Sequence, residues 1–422
     1  MPDSPVISKR HSTAVLVASG VVAISTFAVT VLSARVLSPA DNAEFLVFWS
    51  FFNAVLAAIT GLQNEATRAV GAFRLGRGTE SVRTAPVIAM AAFWGAVVAL
   101  AWLVSAPLWA RSLLPSTSWV VVVVAALACF VYAGQVTVTG AMAGLKRWNH
   151  YAGIITTEAM VRLLALIALT LVAAKLESLQ LAVTTAALAW LVYLLVFRTA
   201  REGFVQRADV ALPRLIRNGG LAMLSAVAYA VLVSGFPAML RLAVGANVPA
   251  DKLAILIVAI MVTRAPIMMP LVTFQGVAIA AFQRHQGRRW RVLLRIFGLV
   301  VAGGAVIAVL VALVGPTVVR LLFGAAYAMS PSLLAGLTLA AVPLAMLTLS
   351  GTAALSVGAH RGYAAGWVCA AVVAVLLLFV PVELTGRVML AMTVGPLVGI
   401  VPQIVALNRH EATDAVTSRK GD

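Results

Sequence analysis

The chain has 422 residues, 62% of them hydrophobic and 11% charged, with a mean hydropathy of +1.02 and a formal net charge of +17. An apolar share so far above the roughly half found in soluble domains excludes a soluble fold and puts the chain in a bilayer. The 31 basic residues are dispersed over alternate loops instead of gathered in a patch, which argues against nucleic acid as a partner.

Apolar runs long enough to cross a hydrocarbon core of about 30 Å fall in chain order near 12–36, 43–63, 84–106, 118–142, 151–174, 179–197, 219–241, 253–282, 296–319, 332–357, 362–382 and 387–407. The expected architecture is therefore all-α and polytopic, with twelve transmembrane helices. Lys9 and Arg10 ahead of the first run imitate a signal peptide, but the run is too long and lacks a small-residue cleavage site, so it reads as the first span. Loops on the side of the two termini hold 22 of the 31 Lys and Arg residues. By the positive-inside rule the protein is expected in the cytoplasmic membrane with both termini cytoplasmic.

Landmarks in the first half recur about 210 residues later. Ser38-Pro39-Ala40-Asp41 closes the first span and Val248-Pro249-Ala250-Asp251 the seventh. Pro107 precedes Arg111 after the third span as Pro316 precedes Arg320 after the ninth, and Gly144, Arg147, Tyr151 and Gly153 are answered by Gly358, Arg361, Tyr363 and Gly366. Three matches in one register predict two pseudo-symmetric six-helix bundles related by an axis along the membrane normal, with substrate sites between the halves. The expected division is a cytoplasmic N-terminus (1–11), an N-lobe (12–197), a cytoplasmic linker (198–218) carrying five arginines, a C-lobe (219–407) and a cytoplasmic tail (408–422).

Ionisable residues within spans each cost about 2.5–3.5 kcal/mol at a helix centre, so they mark candidate sites. Arg264 is the deepest, in a span that also holds Pro266 and Pro270. Those prolines release the carbonyls of Val262 and Pro266 and are expected to kink the helix beside the arginine. Gln275, eleven residues on, returns to the same face. Arg264 reads as a cavity residue or as a structural arginine bonded to a neighbouring helix. Glu158 and Arg162, spaced i and i+4, read first as a self-neutralising pair and second as a cavity pair. Gln63, Glu65 and Arg68 crowd the end of the second span. They are candidates for cavity lining or for plain solvation.

Arg35 and Arg241 close the paired first and seventh spans as outer-gate or headgroup contacts, with snorkelling as the default reading. Asp41 and Glu44 invite a catalytic reading but have the spacing of a helix start, where carboxylates accept the orphan N–H groups. Cys129 and Cys369 sit within spans as packing residues, and the five histidines lie in cytoplasmic segments or at their edges. No phosphate loop, Ser/His/Asp set or metal-ligand spacing is present, so neither a catalytic residue, a metal site nor a cofactor is expected.

Two six-helix lobes, the linker, Pro237 within the seventh span, the stretch Ala34 to Asp41 and the stretch Gly61 to Arg68 together resemble the polysaccharide biosynthesis, O-antigen flippase-like branch of the multidrug/oligosaccharidyl-lipid/polysaccharide (MOP) exporter superfamily. The resemblance covers essentially the whole chain. It implies a non-enzymatic alternating-access flippase for an anionic lipid-linked oligosaccharide or polysaccharide precursor, with a polyprenyl-pyrophosphate glycan as cargo and membrane lipids and glycan assembly enzymes as partners. Twelve spans in place of the fourteen of peptidoglycan-precursor flippases favour an O-antigen-like or exopolysaccharide unit. A cation-coupled multidrug exporter on the same scaffold is the nearest alternative, dependent on Glu65 or Glu158. A membrane glycosyltransferase, dependent on Asp41 or Glu44, is the next.

Overall fold

The computed structural model describes residues 9–76, 84–245, 247–284 and 289–420, excepting the side chains of 9–12, 269–270, 272–289 and 410–420. Among them the regular elements are helices, with one isolated β-bridge between Pro86 and Arg207. They run α1 (Lys9–Val36), α2 (Pro39–Ile59), α3 (Gly61–Arg74), α4 (Val87–Leu113), α5 (Trp119–Gly144), α6 (Trp148–Val172), α7 (Leu176–Thr185), α8 (Ala189–Val196), α9 (Leu212–Val233), α10 (Phe236–Val244), α11 (Ala250–Arg284), α12 (Arg289–Phe323), α13 (Pro331–Ser356), α14 (His360–Leu377) and α15 (Leu384–Lys420). Eleven stretches among the described residues are long and apolar enough to cross a bilayer. The helix α11 stands at the place of the eighth span and completes the set of twelve. In hydrocarbon only internally bonded backbone is stable, which is why so apolar a chain folds into helices throughout.

Helix starts follow local chemistry. Ser38, Ser118 and Ser330 cap α2, α5 and α13, their side chains accepting from the N–H groups of Asp41, Val121 and Leu333. Pro39 and Pro331 sit in the first turn, where a missing N–H costs nothing.

The chain divides into two compact units, Met1–Ala230 and Val231–Asp422. Each uses the same internal packing: α5 lies against α3 and α4 in the first, α13 against α11 and α12 in the second. The central helices α5 and α13 are well enclosed, whereas α4 and α12 turn Leu100, Val104, Leu108, Leu299, Leu310 and Leu313 outward. Exposed aliphatic side chains in such numbers mark a surface suited to lipid.

The duplication extends to backbone detail. Arg147 N–H donates to Met142 O at 2.8 Å and Lys146 N–H to Ala143 O at 2.9 Å; Ala359 N–H donates to Ala354 O at 2.9 Å and Gly358 N–H to Leu355 O at 3.0 Å. Both turns place one residue in the left-handed region, Lys146 at φ 59° and Gly358 at φ 76°. The equivalent of Gly358 is thus Lys146 and not Gly144, a correction to the alignment made from the sequence.

Gly144 serves packing instead. Together with Gly140 it lets α5 approach α3: a Cβ on Gly140 would meet Gln63 O and Ala66 Cβ, and one on Gly144 would meet Thr67 O. Thr67 Oγ1 uses this proximity to donate to Gly140 O at 3.0 Å. Gly140→Val is expected to destabilise the protein by about 1–3 kcal/mol through overpacking, read as a lower unfolding temperature of the purified protein in detergent. An unchanged midpoint would contradict the close α3–α5 approach.

Candidate functional site

The candidate residues fall into separate groups. The first lies inside unit 1. Glu158 and Arg162, one turn apart on α6, form an ion pair with both residues buried. Gln135 on α5 donates its Nε2 to Glu158 Oε2 at 2.6 Å, and the Arg162 guanidinium stands 5.3 Å from the ring centre of Trp49 on α2. Ser25 of α1 donates to Ala159 O at 2.7 Å, so four helices close around the pair. Gln135 Oε1 and Arg162 Nε are buried with no hydrogen-bond partner among the described residues. Gln135 and Trp49 escaped the sequence reading. A glutamine within an apolar span was the signal for the first; an aromatic among many gave none for the second.

The second group is at the end of α3. Arg68 donates through Nε and Nη2 to both oxygens of Glu65, at 2.8 and 2.7 Å, and through Nη1 and Nη2 to both oxygens of Asp209, at 2.9 and 3.1 Å. Asn218 Nδ2 adds a bond of 3.1 Å to Glu65 Oε1. The buried Glu65 is thereby satisfied from two elements. Gln63, two residues before Glu65, donates to Tyr151 Oη at 3.3 Å.

Asp209 belongs to the stretch 198–218, which lies in unit 1 and is bonded along its length. Arg147 pairs with Glu202 at 2.6 Å and donates to Thr199 O at 3.1 Å; Ala208 N–H donates to Ala85 O at 2.8 Å and Val87 N–H to Gln206 O at 3.0 Å. His150 lies 2.8 Å from Thr199 Oγ1 and 3.1 Å from Tyr193 Oη. This segment is strapped to the helices, with Glu65 and Arg68 as its fastening. Asp209→Ala should raise the trypsin cleavage rate at Arg201 and Arg207 by up to about fivefold, the factor a partly exposed pair worth at most ~1 kcal/mol allows. Unaltered cleavage would show that the pair does not hold the strap.

At the opposite end of unit 1 the acidic pair acts structurally, though not as the sequence suggested. Asp41 sits in the first turn of α2, where Ser38 supplies the cap. Glu44 caps nothing on its own helix. Its carboxylate accepts from Ser116 N–H at 2.9 Å and from Thr117 Oγ1 at 2.8 Å, because the α4–α5 loop presents unpaired donors there.

In unit 2, Arg264 on α11 directs Nη1 at the carbonyl oxygens of Leu232, 3.1 Å, and Val233, 3.4 Å, the last residues of α9, and its guanidinium lies 4.9 Å from the ring centre of Phe236. The bonds go to a neighbouring helix, while α11 itself continues through Pro266 and Pro270 to Arg284. Arg241 donates to Gly245 O at 3.1 Å, capping α10 where a cation suits the helix dipole. Arg35 is exposed at the end of α1. The side chain of Gln275 lies outside the described residues.

No family model matches the chain. It is 36% identical to uncharacterized protein Rv1510 of Mycobacterium tuberculosis (strain ATCC 25618 / H37Rv) over 97% of this chain and 94% of that protein. It is 34% identical to uncharacterized protein Rv3630 of the same strain over 93% and 91%. Among solved structures it is similar to the inward-facing conformation of a multidrug resistance MATE family transporter of the MOP superfamily, with a TM-score of 0.67 at 13% identity over 95% of this chain and 96% of that one. It is also similar to a MOP superfamily transporter from Pyrococcus furiosus Vc1 (DSM3638), in which reverse polarity of the binding pocket suggests a different function, with a TM-score of 0.62 at 14% identity over 96% and 94%. These likenesses give the fold, that of a multi-pass membrane protein of MATE architecture.

Proposed function

This chain belongs to the family of the mycobacterial proteins Rv1510 and Rv3630, and on its fold and charge distribution we propose that it is an alternating-access flippase carrying an anionic lipid-linked oligosaccharide or polysaccharide precursor across the cytoplasmic membrane. One observation carries the reading: the charge of Arg264 has no carboxylate to balance it in the membrane-embedded part of unit 2. The acids of this unit are Asp251 at the start of α11, Glu383 before α15, and Glu411, Asp414 and Asp422 beyond the last span. Arg264 is thirteen residues from Asp251, about 20 Å along a helix. Among the described residues its partners are neutral carbonyls and an aromatic face. A cation so placed is expensive unless cargo completes it.

A pyrophosphate suits that position. The guanidinium offers a planar fork of donors matched to phosphate oxygens, and the polyprenyl tail never leaves the lipid. Outward movement of negative charge from a negative interior gains about 2.3 kcal/mol per charge per 100 mV, so the membrane potential can drive the step. The P. furiosus fold neighbour with a reversed pocket polarity supports the idea that this scaffold accommodates cargo other than cationic drugs.

A cation-coupled multidrug exporter is the second reading, favoured by the buried carboxylate of Glu158. Arg162 and Gln135 already occupy both oxygens of that carboxylate, which leaves it poorly placed to take a cation. Proteoliposomes of the full chain decide between the two. Translocation of a fluorescent polyprenyl-pyrophosphoryl oligosaccharide above the rate of protein-free vesicles is the expected result. Gradient-driven uptake of a cationic dye, abolished by Glu158→Gln and accompanied by no glycolipid movement, would replace this reading with the second.

A further inference from the structure

Arg264 is bonded across a break in a membrane helix. Helix α9 ends at Val233, the chain turns through Ser234 and Gly235, and α10 begins at Phe236. Pro237 follows within the first turn of α10. In an unbroken helix residue 237 would donate its N–H to Val233 O; a proline has none to give. The carbonyls of Leu232 and Val233 are therefore among the orphans of a helix end, and Arg264 reaches both from α11 while its guanidinium covers Phe236 on the far side of the break. One cation thus touches the last turn of α9 and the first residue of α10. Its Nε is buried without a hydrogen-bond partner among the described residues, so the guanidinium is not saturated where it stands.

The present partners are weak competitors. The Val233 bond is long at 3.4 Å and both acceptors are neutral, whereas a phosphate oxygen pair adds a full negative charge and a bidentate match to the guanidinium fork. An oxyanion arriving at the guanidinium takes it from the carbonyls. The end of α9 then loses both its donor and the positive charge that suits its dipole.

We propose that Arg264 couples cargo to conformation: an anionic pyrophosphate draws its guanidinium off the carbonyl oxygens of Leu232 and Val233, and the unfastened break between α9 and α10 rearranges. The inference rests on the reading that an anionic cargo binds at Arg264, and it gives that residue a positioning role beyond attraction. An empty carrier keeps the break fastened; a loaded one does not.

Amide hydrogen exchange on the full chain in lipid nanodiscs tests this, with undecaprenyl pyrophosphate as the probe and its binding measured in parallel by radiolabel. In the wild type, saturating probe is expected to accelerate exchange over residues 234–240 by about tenfold, the worth of a lost bond to a charged group. Arg264→Gln should exchange fast without probe and show no further response, and Arg264→Lys should fall between. If the glutamine variant does not fold, Pro237→Ala restores the missing N–H, and exchange there should be slow and indifferent to the probe. Probe binding with unchanged exchange in the wild type, or a full response in Pro237→Ala, overturns the coupling and leaves the proposed cargo standing. Failure of the wild type to bind the probe overturns the cargo reading and this inference together.

Discussion

Replacing Glu158 with glutamine lowers the unfolding temperature of the purified protein by about 10 °C. The carboxylate is the only ion-pair partner of Arg162 among the described residues, and Arg162 keeps 7% of its surface exposed. Breaking a buried pair by removing one member costs about 3–5 kcal/mol, because the remaining charge is stranded. In a unit of this size each kilocalorie shifts the midpoint by roughly 2–4 °C. The double variant Glu158→Gln/Arg162→Met removes both charges and should recover most of the loss, since an apolar replacement of a whole buried pair is near neutral. Thermal unfolding of these three proteins and of Arg162→Met in detergent closes the cycle. A single variant as stable as the wild type would show that the charges do not depend on one another.

Arg264→Gln is expected to cut translocation of a polyprenyl-pyrophosphate glycan by about a hundredfold or more. The reasoning is the same with the roles exchanged: the cargo's charge is now the one left without a partner, and about 3–5 kcal/mol at 1.4 kcal/mol per tenfold gives at least that factor. Arg264→Lys keeps the charge but not the planar fork that meets two phosphate oxygens at once. It should retain about a tenth of the rate. Stability separates transport from folding, so each variant's unfolding temperature is read beside its flux. Equal flux in wild type and Arg264→Gln would remove this residue from the transport path.

The twofold design of the fold was readable because membrane helices are punctuated by turn residues whose chemistry does not depend on distant partners. Pro107 and Pro316 both lie inside their helices, in α4 and α12, at the matched positions. The turns after α5 and α13 share a hydrogen-bond pattern even though one holds Lys146 where the other holds Gly358. That substitution hid the true register, since a glycine two residues away offered a more obvious match. Long-range partners were another matter. Nothing near Arg68 in sequence points to Asp209, 141 residues on, and nothing near Glu44 points to the N–H of Ser116. Arg264 was conspicuous as a charge within an apolar span, but its acceptors are backbone carbonyls, which every residue carries and no pattern marks.

The charge of Arg264 as the determinant of cargo is tested most directly by comparing two lipids in one preparation. Proteoliposomes of the full chain, held at an imposed potential, receive the same oligosaccharide linked to a polyprenol either through pyrophosphate or through an uncharged glycosidic bond. The pyrophosphate lipid should move, faster as the potential drives negative charge outward, and the neutral lipid should stay at the protein-free rate. Equal movement of both, indifferent to the potential, would contradict a carrier that selects its cargo by an uncompensated arginine.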